Sequence, residues 1–402
     1  MPTYRYYACD TLTGDLLAEL PLTGVTFSLV VNDTGGFGAT LPLSAEPYLV
    51  QVTQPGRTSV YIERDGVLVY GGIIWGRQYD AAAGTLTLDG SDFLSYTDHL
   101  VISDNLNYGQ VEQLAIFRSL VDYGMHKGGS DLGLSYIGTS SSGVKRDRTY
   151  AATDLSVLGD MLRQLSAVDS GFDFIFGVRW EGARPRRYVQ LGYPSLGRPL
   201  AQSLLYFDYN ADLSALTFAE DAASSASTIY AVGGVLETAP AGTNPPTYTA
   251  DAQPIRAGGM PRLESQLSFD DITQQATLNA HALGELAAIE NPVLTMTIGF
   301  NNHTRNQPPV GTFLPGDQCL VLIAAGDLMF AQGATLLGSI ASLDVTISDE
   351  GDEQLALGIA PSLVTPGPAG VSATGYELAA PPPDQDFRVI TARPLRVGAG
   401  AL

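Results

Sequence analysis

The sequence predicts a mainly β protein with an inserted α+β domain, built as two small β-barrel domains with helical excursions. Three observations predict this class. Short runs rich in Val, Ile and Tyr recur at near-regular spacing in residues 1–100 and 201–365. Helical periodicity is confined to a few segments between or within these regions. The 44 Gly and 24 Pro are spread along all 402 residues, which is typical of many turns. Short strands at such spacing favour barrels, because closure removes exposed edges.

The first predicted barrel, residues 1–100, is clearest in one hairpin. An Asp-Gly turn at 65–66 separates two apolar runs, and Asp-Gly in this position is a strong hairpin signal. The glycine pair at 71–72 is expected to break or bulge the second strand. We expect Tyr61, Ile73 and Trp75 to pack the barrel, and nothing in the hairpin is arranged for chemistry.

Residues 101–200 form the predicted inserted α+β domain. Apolar residues at helical spacing predict two helices. The first carries Leu114, Phe117, Leu120 and Val121, and the second carries Leu155, Leu158, Leu162 and Leu165. Two segments that follow, beginning at Phe172 and at Arg187, have the composition of paired strands.

The second predicted β-barrel region spans residues 201–365 and includes a helix at 270–289. Residues 239–260 are rich in Pro and Gly and poor in apolar residues, so we expect an exposed excursion there. Residues 366–402 are rich in Pro, Gly and Ala. We expect them to form an extended C-terminal tail that orders only against a partner, either a fibre or a neighbouring subunit.

The formal net charge is −21, from 21 Lys and Arg against 42 Asp and Glu. This balance argues against free nucleic-acid binding, which needs clustered cations, and against docking on anionic lipid. Two interpretations stay open: the charge serves solubility, or it forms an acidic wall past which nucleic acid slides. Cys9 and Cys319 form no metal motif, and we interpret both as buried free thiols. No signal peptide and no membrane-spanning run is predicted.

The sequence predicts no catalytic, cofactor-binding or metal-binding residue. None of the four His residues stands at ligand spacing from another: His99, His126, His281 and His303. Neither a nucleophile elbow nor a phosphate-binding glycine loop occurs. We interpret the acidic pair at 270–271 as a helix N-terminus and the cluster at 349–353 as a hairpin tip. A pair of glycosidase carboxylates distant in sequence stays open, although nothing singles one out.

Basic residues cluster twice within the inserted domain, in a chain that is otherwise acidic. One cluster is Lys145, Arg146 and Arg148, and the other is Arg184, Arg186 and Arg187. They could belong to solvated loops. Alternatively, they could pair with acidic surfaces of a neighbouring subunit, where the planar guanidinium favours Arg over Lys.

Taken in order, three features resemble the baseplate hub proteins, or minor tail proteins, of long-tailed (siphovirus-type) phages. These are similar to the hub region of tail-associated lysins. The first feature is the opening strand set within 65–94, and the second is the helical insertion that starts near Val111. The third is the closing barrel, with its turn at 313–317 and its alternating strand at 340–347. The resemblance covers roughly residues 1–362.

The resemblance implies a homotrimeric structural protein that is not an enzyme and needs no cofactor. Each subunit would contribute two tube-type barrels, so that three subunits form a pseudo-sixfold ring. This hub would join the distal tail protein or tail tube hexamer to the central fibre or spike, at the virion tail tip, after assembly in the host cytoplasm. DNA would transit the lumen without specific binding, which suits the acidic charge balance.

Two alternatives stay open beside the hub. One is a carbohydrate-binding or hydrolytic protein built on β domains, which should show a cleft with paired titratable groups. The other is a different tail component, such as a distal tail or side-fibre protein. The sequence does not indicate which strand faces would line a lumen.

Overall fold

The computed structural model describes residues 2–364 except 44–46, 169, 210, 212, 236–238, 241, 271, 292, 302–307, 327–329, 331 and 332, together with residues 377–378 and 397–398. The chain is mainly β with a few helices, as predicted. No helix among these residues is both long and apolar enough to cross a membrane.

The first region contains seven strands, which pair with one another in antiparallel fashion. They are β1 (Tyr4–Asp10), β2 (Leu16–Glu19), β3 (Thr23–Val30), β4 (Gly36–Pro42), β5 (Thr58–Arg64), β6 (Val67–Asp80) and β7 (Thr85–Asp92). Short 3₁₀ helices occupy Pro47–Val50 and Phe93–His99. The second of these leads from β7 into the inserted α+β region.

The inserted region combines two helices with strands, as the periodicity predicts. Leu155, which we placed on the second helix, lies before that helix and is 56% exposed, so this part of the prediction was wrong. Its elements are β8 (Leu106–Glu112), α1 (Gln113–Met125), β9 (Ser135–Gly138), β10 (Lys145–Tyr150), a 3₁₀ turn (Ala152–Asp154), α2 (Leu158–Ser166), β11 (Asp173–Glu181) and β12 (Arg184–Gly192). The predicted strand pair is β11 with β12, in antiparallel register from Asp173 to Gly192.

The remaining elements return the chain to the large sheet after one further excursion. They are α3 (Leu200–Ser203), β13 (Leu205–Asp208), β14 (Ala215–Asp221), β15 (Thr228–Gly233), β16 (Thr247–Asp251), α4 (Gln253–Ala257), β17 (Glu264–Phe269), α5 (Gln275–Ile289), β18 (Val293–Asn301), β19 (Gln318–Ile323), β20 (Ala334–Ile347) and β21 (Glu353–Val364). In the predicted tail, only β22 (Glu377–Leu378) and β23 (Val397–Gly398) belong to the described residues, so the prediction of an extended tail falls outside them.

The strands of both predicted barrel regions join in one open sheet, in the order β14-β18-β21-β20-β3-β4-β7-β6-β5-β1-β2. Two separate closed barrels are therefore not found in the part of the chain that the structure describes. The junction is β20, whose residues 342–347 pair with β3 while residues 334–339 pair with β19. A single core also spans both regions, with Phe27 and Tyr70 from the first and Leu343 and Ile359 from the second. Neither half has to close on itself to bury its apolar face.

A second core lies on the other face of the first hairpin, against α1, α2 and β11. Tyr61 and Ile73 belong to this second core, although we predicted that they would pack the barrel. The alternation of the strand explains the difference, because Val60 and Ile62 take the barrel side of β5 and Tyr61 points away from it. Trp75 is partly buried beside the same core, and its Nε1 donates to Ser95 Oγ at 2.8 Å.

The glycine pair at 71–72 does not break or bulge β6, contrary to our prediction. The register shifts lie elsewhere in this strand, at Val69 opposite β5 and at Trp75 opposite β7. Glycine is needed at 71 because β11 crosses β6 there. A Cβ on Gly71 would lie 2.5 Å from Val178 Cγ1.

A smaller unit with its own core lies between β14 and β18, which are themselves neighbours in the large sheet. Its three strands have the order β16-β15-β17, and α5 packs on them. The predicted exposed excursion at 239–260 was wrong in part, because β16 pairs with β15 and buries Ala250. The predicted helix begins at Gln275 rather than at residue 270. The domain limits that we predicted stay predictions.

Candidate functional site

The outward face of eight neighbouring strands forms one side of the large sheet. The strands are β14, β18, β21, β20, β3, β4, β7 and the second half of β6. In the strands other than β6, residues alternate between the first core and this outward face. In β6, residues 77–80 are all exposed. Phe27, Val345 and Leu355, for example, are buried, whereas Thr26, Thr346 and Gln354 are exposed.

The residues on this face are small and mostly uncharged. One cross-strand row runs through successive partners, Gly76, Asp89, Gly38, Thr26, Thr346 and Gln354. A parallel row runs through Ser28, Asp344, Ala356, Gly299 and Ala215. Shorter rows contain Gln78, Thr87 and Thr40, and Ser342, Gly358, Thr297 and Thr217. We refer to these four rows together as the threonine-glycine face.

The threonine-glycine face carries negative charge and no positive charge. Seven of its strands contain neither Lys nor Arg, and in β6 the one basic residue is Arg77. Arg77 lies on the opposite side of the strand, paired across the ladder with the buried Leu88, and its Nη1 donates to the carbonyl of Val50 at 2.6 Å. Asp89 and Asp344 supply the carboxylates, and partial burial raises the pKa of Asp344. A polyanion that approaches this face therefore meets no cationic side chain to which it could bind.

The last residue of the second basic cluster is buried rather than solvated. Arg187 is 4% exposed and lies 4.5 Å over the ring of Phe93. Its guanidinium donates to Tyr61 Oη at 2.8 Å and to the carbonyls of Thr11 and Leu132. Arg187 therefore connects β12 to the first region through buried hydrogen bonds. Both interpretations that we considered for this residue were wrong.

Three other basic residues of the two clusters form contacts within the chain. Arg184 pairs with Asp15 at 3.1 Å, and Arg186 pairs with Glu181 at 2.6 Å, both exposed. In the first cluster, Arg146 Nε donates to Gln113 Oε1 at 3.1 Å. These pairs connect neighbouring elements. Pairing of the exposed Arg184 and Arg186 with acidic surfaces of a neighbouring subunit stays a prediction.

The histidines are not brought together as ligands. The rings of His99 and Trp75 are tilted against each other with their centroids 4.5 Å apart. The ring of His126 contacts the carbonyl of Asp122, and His281 packs on Phe269. His303 lies outside the described residues. Among the residues that are described, no group of three or more His, Cys, Asp or Glu could hold a metal ion.

The acidic clusters have structural roles where they are described. Asp270 precedes the start of α5 by five residues and accepts from Ser268 Oγ, so it is not at a helix N-terminus as predicted. The cluster at 349–353 does form the tip between β20 and β21. Its last member, Glu353, is buried and accepts from Tyr4 Oη and Arg64 Nε at 2.5 Å each. This ion pair ties β21 to β1 and β5, and sequence reasoning missed it.

The two cysteines are buried free thiols, as predicted. Burial raises the pKa of Cys9 to about 11 and that of Cys319 to about 12. Both thiols therefore stay protonated and poorly nucleophilic near neutral pH.

An apolar cleft of about 350 Å³ lies where β6, β11 and the segment before β19 meet. Val67, Trp180 and Phe313 stand at its walls, and Arg179 and Gln190 are its polar members. The lining contains no Asp, Glu, His or Cys. The cleft therefore contains no pair of carboxylates of the kind that glycosidases use.

No protein-family model matches the sequence, and a comparison with curated proteins gives no match. Comparison with solved structures does give matches. A 43 kDa tail protein of prophage MuSo2 from Shewanella oneidensis has a TM-score of 0.57 at 11% identity, with 88% of this chain and 98% of that chain covered. A tail protein from Neisseria meningitidis MC58 has a TM-score of 0.56 at 14% identity, with 89% and 96% covered.

A third similar structure is the prophage tail protein gp18 from Listeria monocytogenes EGD-e. Its TM-score is 0.52 at 11% identity, with 88% of this chain and 94% of that chain covered. In all three cases the likeness extends over nearly the whole of both chains. The resemblance seen in the sequence is confirmed at the level of the fold, and the chain has the fold of phage tail proteins.

Proposed function

We propose that this protein is a structural component of a phage tail, and that three copies form a baseplate hub at the tail tip. The hub joins the hexameric tail tube or distal tail protein to the central fibre or spike. It has no enzymatic role, and DNA leaves through its lumen. The three tail proteins with the same fold support the tail assignment.

The observation that carries the proposal is the threonine-glycine face. It spans eight strands of one sheet, it is exposed, and it presents Thr, Ser, Gly, Ala and Gln with a few carboxylates. A wall that DNA must pass without adhering needs this chemistry, because each phosphate held by a cation would have to be released again. We therefore assign the threonine-glycine face to the lumen of the ring.

The decisive experiment adds cations to the proposed lumen. Phage particles carrying Thr26→Arg or Thr346→Arg are expected to assemble normal tails and to release DNA several-fold more slowly at low salt. Added salt should remove the delay, because the new contacts are electrostatic. The readout is the rate of triggered DNA release, followed by dye fluorescence at two salt concentrations.

Thr249→Arg is the matched control, because Thr249 is equally exposed but lies on β16, outside the large sheet. It should release DNA at the rate of the parent particle. Equal rates for Thr26→Arg and Thr249→Arg would contradict the lumen assignment. A copy number other than three per tail, measured by quantitative mass spectrometry of particles, would contradict the trimer.

A further inference from the structure

The run of eight strands that carries the threonine-glycine face has an open edge at each end. At one end, β5 pairs with β6 only as far as Ile73, while β7 accompanies β6 to Asp80. Among the described residues, no strand lies along the outer side of β6 from 76 to 80. At the other end, β14 pairs with β18 and with no other strand in the part of the chain that the structure describes. Open edges present unpaired amide and carbonyl groups, which favour pairing with another strand.

The strand directions make the two edges complementary. All seven pairs in the run from β14 to β6 are antiparallel. Because eight strands alternate in direction, the first and the last run in opposite senses. When copies are placed side by side with their sheets continuous, β6 of one copy therefore meets β14 of the next as an antiparallel pair.

We propose that residues 76–80 of one subunit pair with β14 of the neighbouring copy, with Arg77 opposite Glu220 and Tyr79 opposite Phe218. This inference rests on the proposed hub ring and specifies the contact that closes it. The partner is a second copy of this chain, because the complementary edge is carried by the same molecule.

The alternation of both strands limits the register. Gln78 of β6 and Ala219 of β14 belong to the outward face, and directly opposite residues share a face. A shift by one residue would place Gln78 opposite Phe218, on the wrong side of the sheet.

Among the registers that the faces allow, one joins opposite charges. Arg77 and Glu220 are both exposed, and Tyr79 is 61% exposed beside them. Pairing Tyr79 with the half-buried Phe218 covers an aromatic ring that the single chain leaves in water. Registers shifted by two residues separate the two charges.

Disulfide trapping tests the contact in the full chain. Gln78→Cys combined with Ala219→Cys should give covalent trimers on a denaturing gel after mild oxidation, because opposite residues in a sheet lie within disulfide reach. The native thiols do not compete, since Cys9 and Cys319 are buried. The control is Gln78→Cys with Phe218→Cys, whose side chains point to opposite faces and should not join.

Charge reversal gives a second measurement. Arg77→Glu alone and Glu220→Arg alone should each weaken self-association about tenfold, since like charges then face each other. The double variant should recover most of the loss. Analytical ultracentrifugation measures association, and a thermal melt confirms that each variant folds.

The outcomes separate this inference from the hub itself. If the variant with cysteines at 78 and 219 forms three-membered rings but gives no cross-link after oxidation, the strand contact is overturned and the hub proposal stands. Cross-linked chains that grow into open polymers support the contact and overturn the closed trimer. A chain that stays monomeric in concentrated solution and gives no cross-link overturns the contact.

Discussion

Asp92 is a carboxylate held entirely inside the protein. Its two oxygens accept from the backbone N–H groups of Gly35 at 2.8 Å and of Leu94 at 3.0 Å. These bonds cap the 3₁₀ helix after β7 and hold the β3–β4 turn against it. Burial is the dominant influence on this group and raises the pKa of Asp92 to about 7.

The raised pKa makes folding stability depend on pH. Between the unfolded pKa, about 3.9, and the folded value, the native state keeps a proton that the unfolded chain has lost. Stability from this group is therefore full below pH 4 and falls as pH rises to about 7, by about 4 kcal/mol in total. Asp92→Asn should flatten that slope in urea unfolding at pH 5, 6 and 7.5. At pH 5 it should also lower stability by about 1–3 kcal/mol, because one N–H loses its acceptor. This deficit should shrink towards pH 7.5, where the parent protein has lost the contribution of protonated Asp92. An unchanged slope would contradict the assignment.

The contribution of the buried cation Arg187 to stability can be tested by substitution. Arg187→Met should destabilise the protein by about 2–4 kcal/mol, because Tyr61 and the carbonyls of Thr11 and Leu132 lose their donor. Arg187→Lys should also cost stability, since a lysine cannot reproduce the planar fork. Arg186→Met is the control; this neighbour is exposed, and a surface change costs within about 0.5 kcal/mol. Equal urea midpoints for the two Met variants would show that the buried contacts contribute nothing.

At the scale of elements, β6 serves two structures along its length. Its first half belongs to the hairpin that packs on the inserted region, and its second half belongs to the threonine-glycine face. The crossing with β11 at Gly71 lies in the first half, where no side chain fits.

Gly71→Ala should therefore destabilise the protein by about 1–3 kcal/mol through overpacking against Val178. Adding Val178→Ala should recover part of this loss, because it removes the nearest atom. Gly109→Ala in β8, where an added Cβ meets nothing within 4 Å, should be close to neutral. If the double variant were no more stable than Gly71→Ala, the clash would not be the cause. Chemical unfolding of the four proteins measures these differences.

The sequence predicted elements where local signals were strong. The Asp-Gly hairpin, α1, α2 and the β11–β12 pair all appear, since turn chemistry and apolar periodicity are local properties. The role of Gly71 could not be predicted, because it depends on β11, about a hundred residues away. Arg187 and Glu353 were missed for the same reason: their partners are distant in sequence, and charged residues usually indicate a surface.

At the scale of the whole molecule, the separate cores define what unfolds together. The first core joins strands from both ends of the chain, whereas the unit between β14 and β18 has its own core. Large-to-small changes in a core cost about 2–5 kcal/mol.

Leu343→Ala should lower hydrogen-exchange protection in β3–β7 and in β18–β21 together, because Leu343 lies in the shared core. Leu278→Ala, in the smaller core, should lower protection within residues 226–289 and leave the large sheet unchanged. Exchange followed by mass spectrometry gives both patterns. Loss of protection confined to one half in Leu343→Ala would contradict a shared core.

The open sheet itself was not predicted, because the joining of β3 with β20 involves residues more than three hundred positions apart. The threonine-glycine face did leave a signal that could have been used. Residues 6–56, 78–117, 199–255, 263–304 and 306–387 contain neither Lys nor Arg, and these stretches include seven of its eight strands. The eighth strand, β6, contains Arg77. The net charge of the whole chain does not reveal that basic residues are excluded from these strands.

The unit between β14 and β18 enters and leaves the large sheet through two strands that are already neighbours. Its removal would leave a hairpin in the same register, with Asp221 still facing Val293. During evolution this unit can therefore be enlarged, replaced or lost without changing the strand order of the large sheet beside it. We expect related phages to differ most in this appended unit and least in the rows of Thr and Gly.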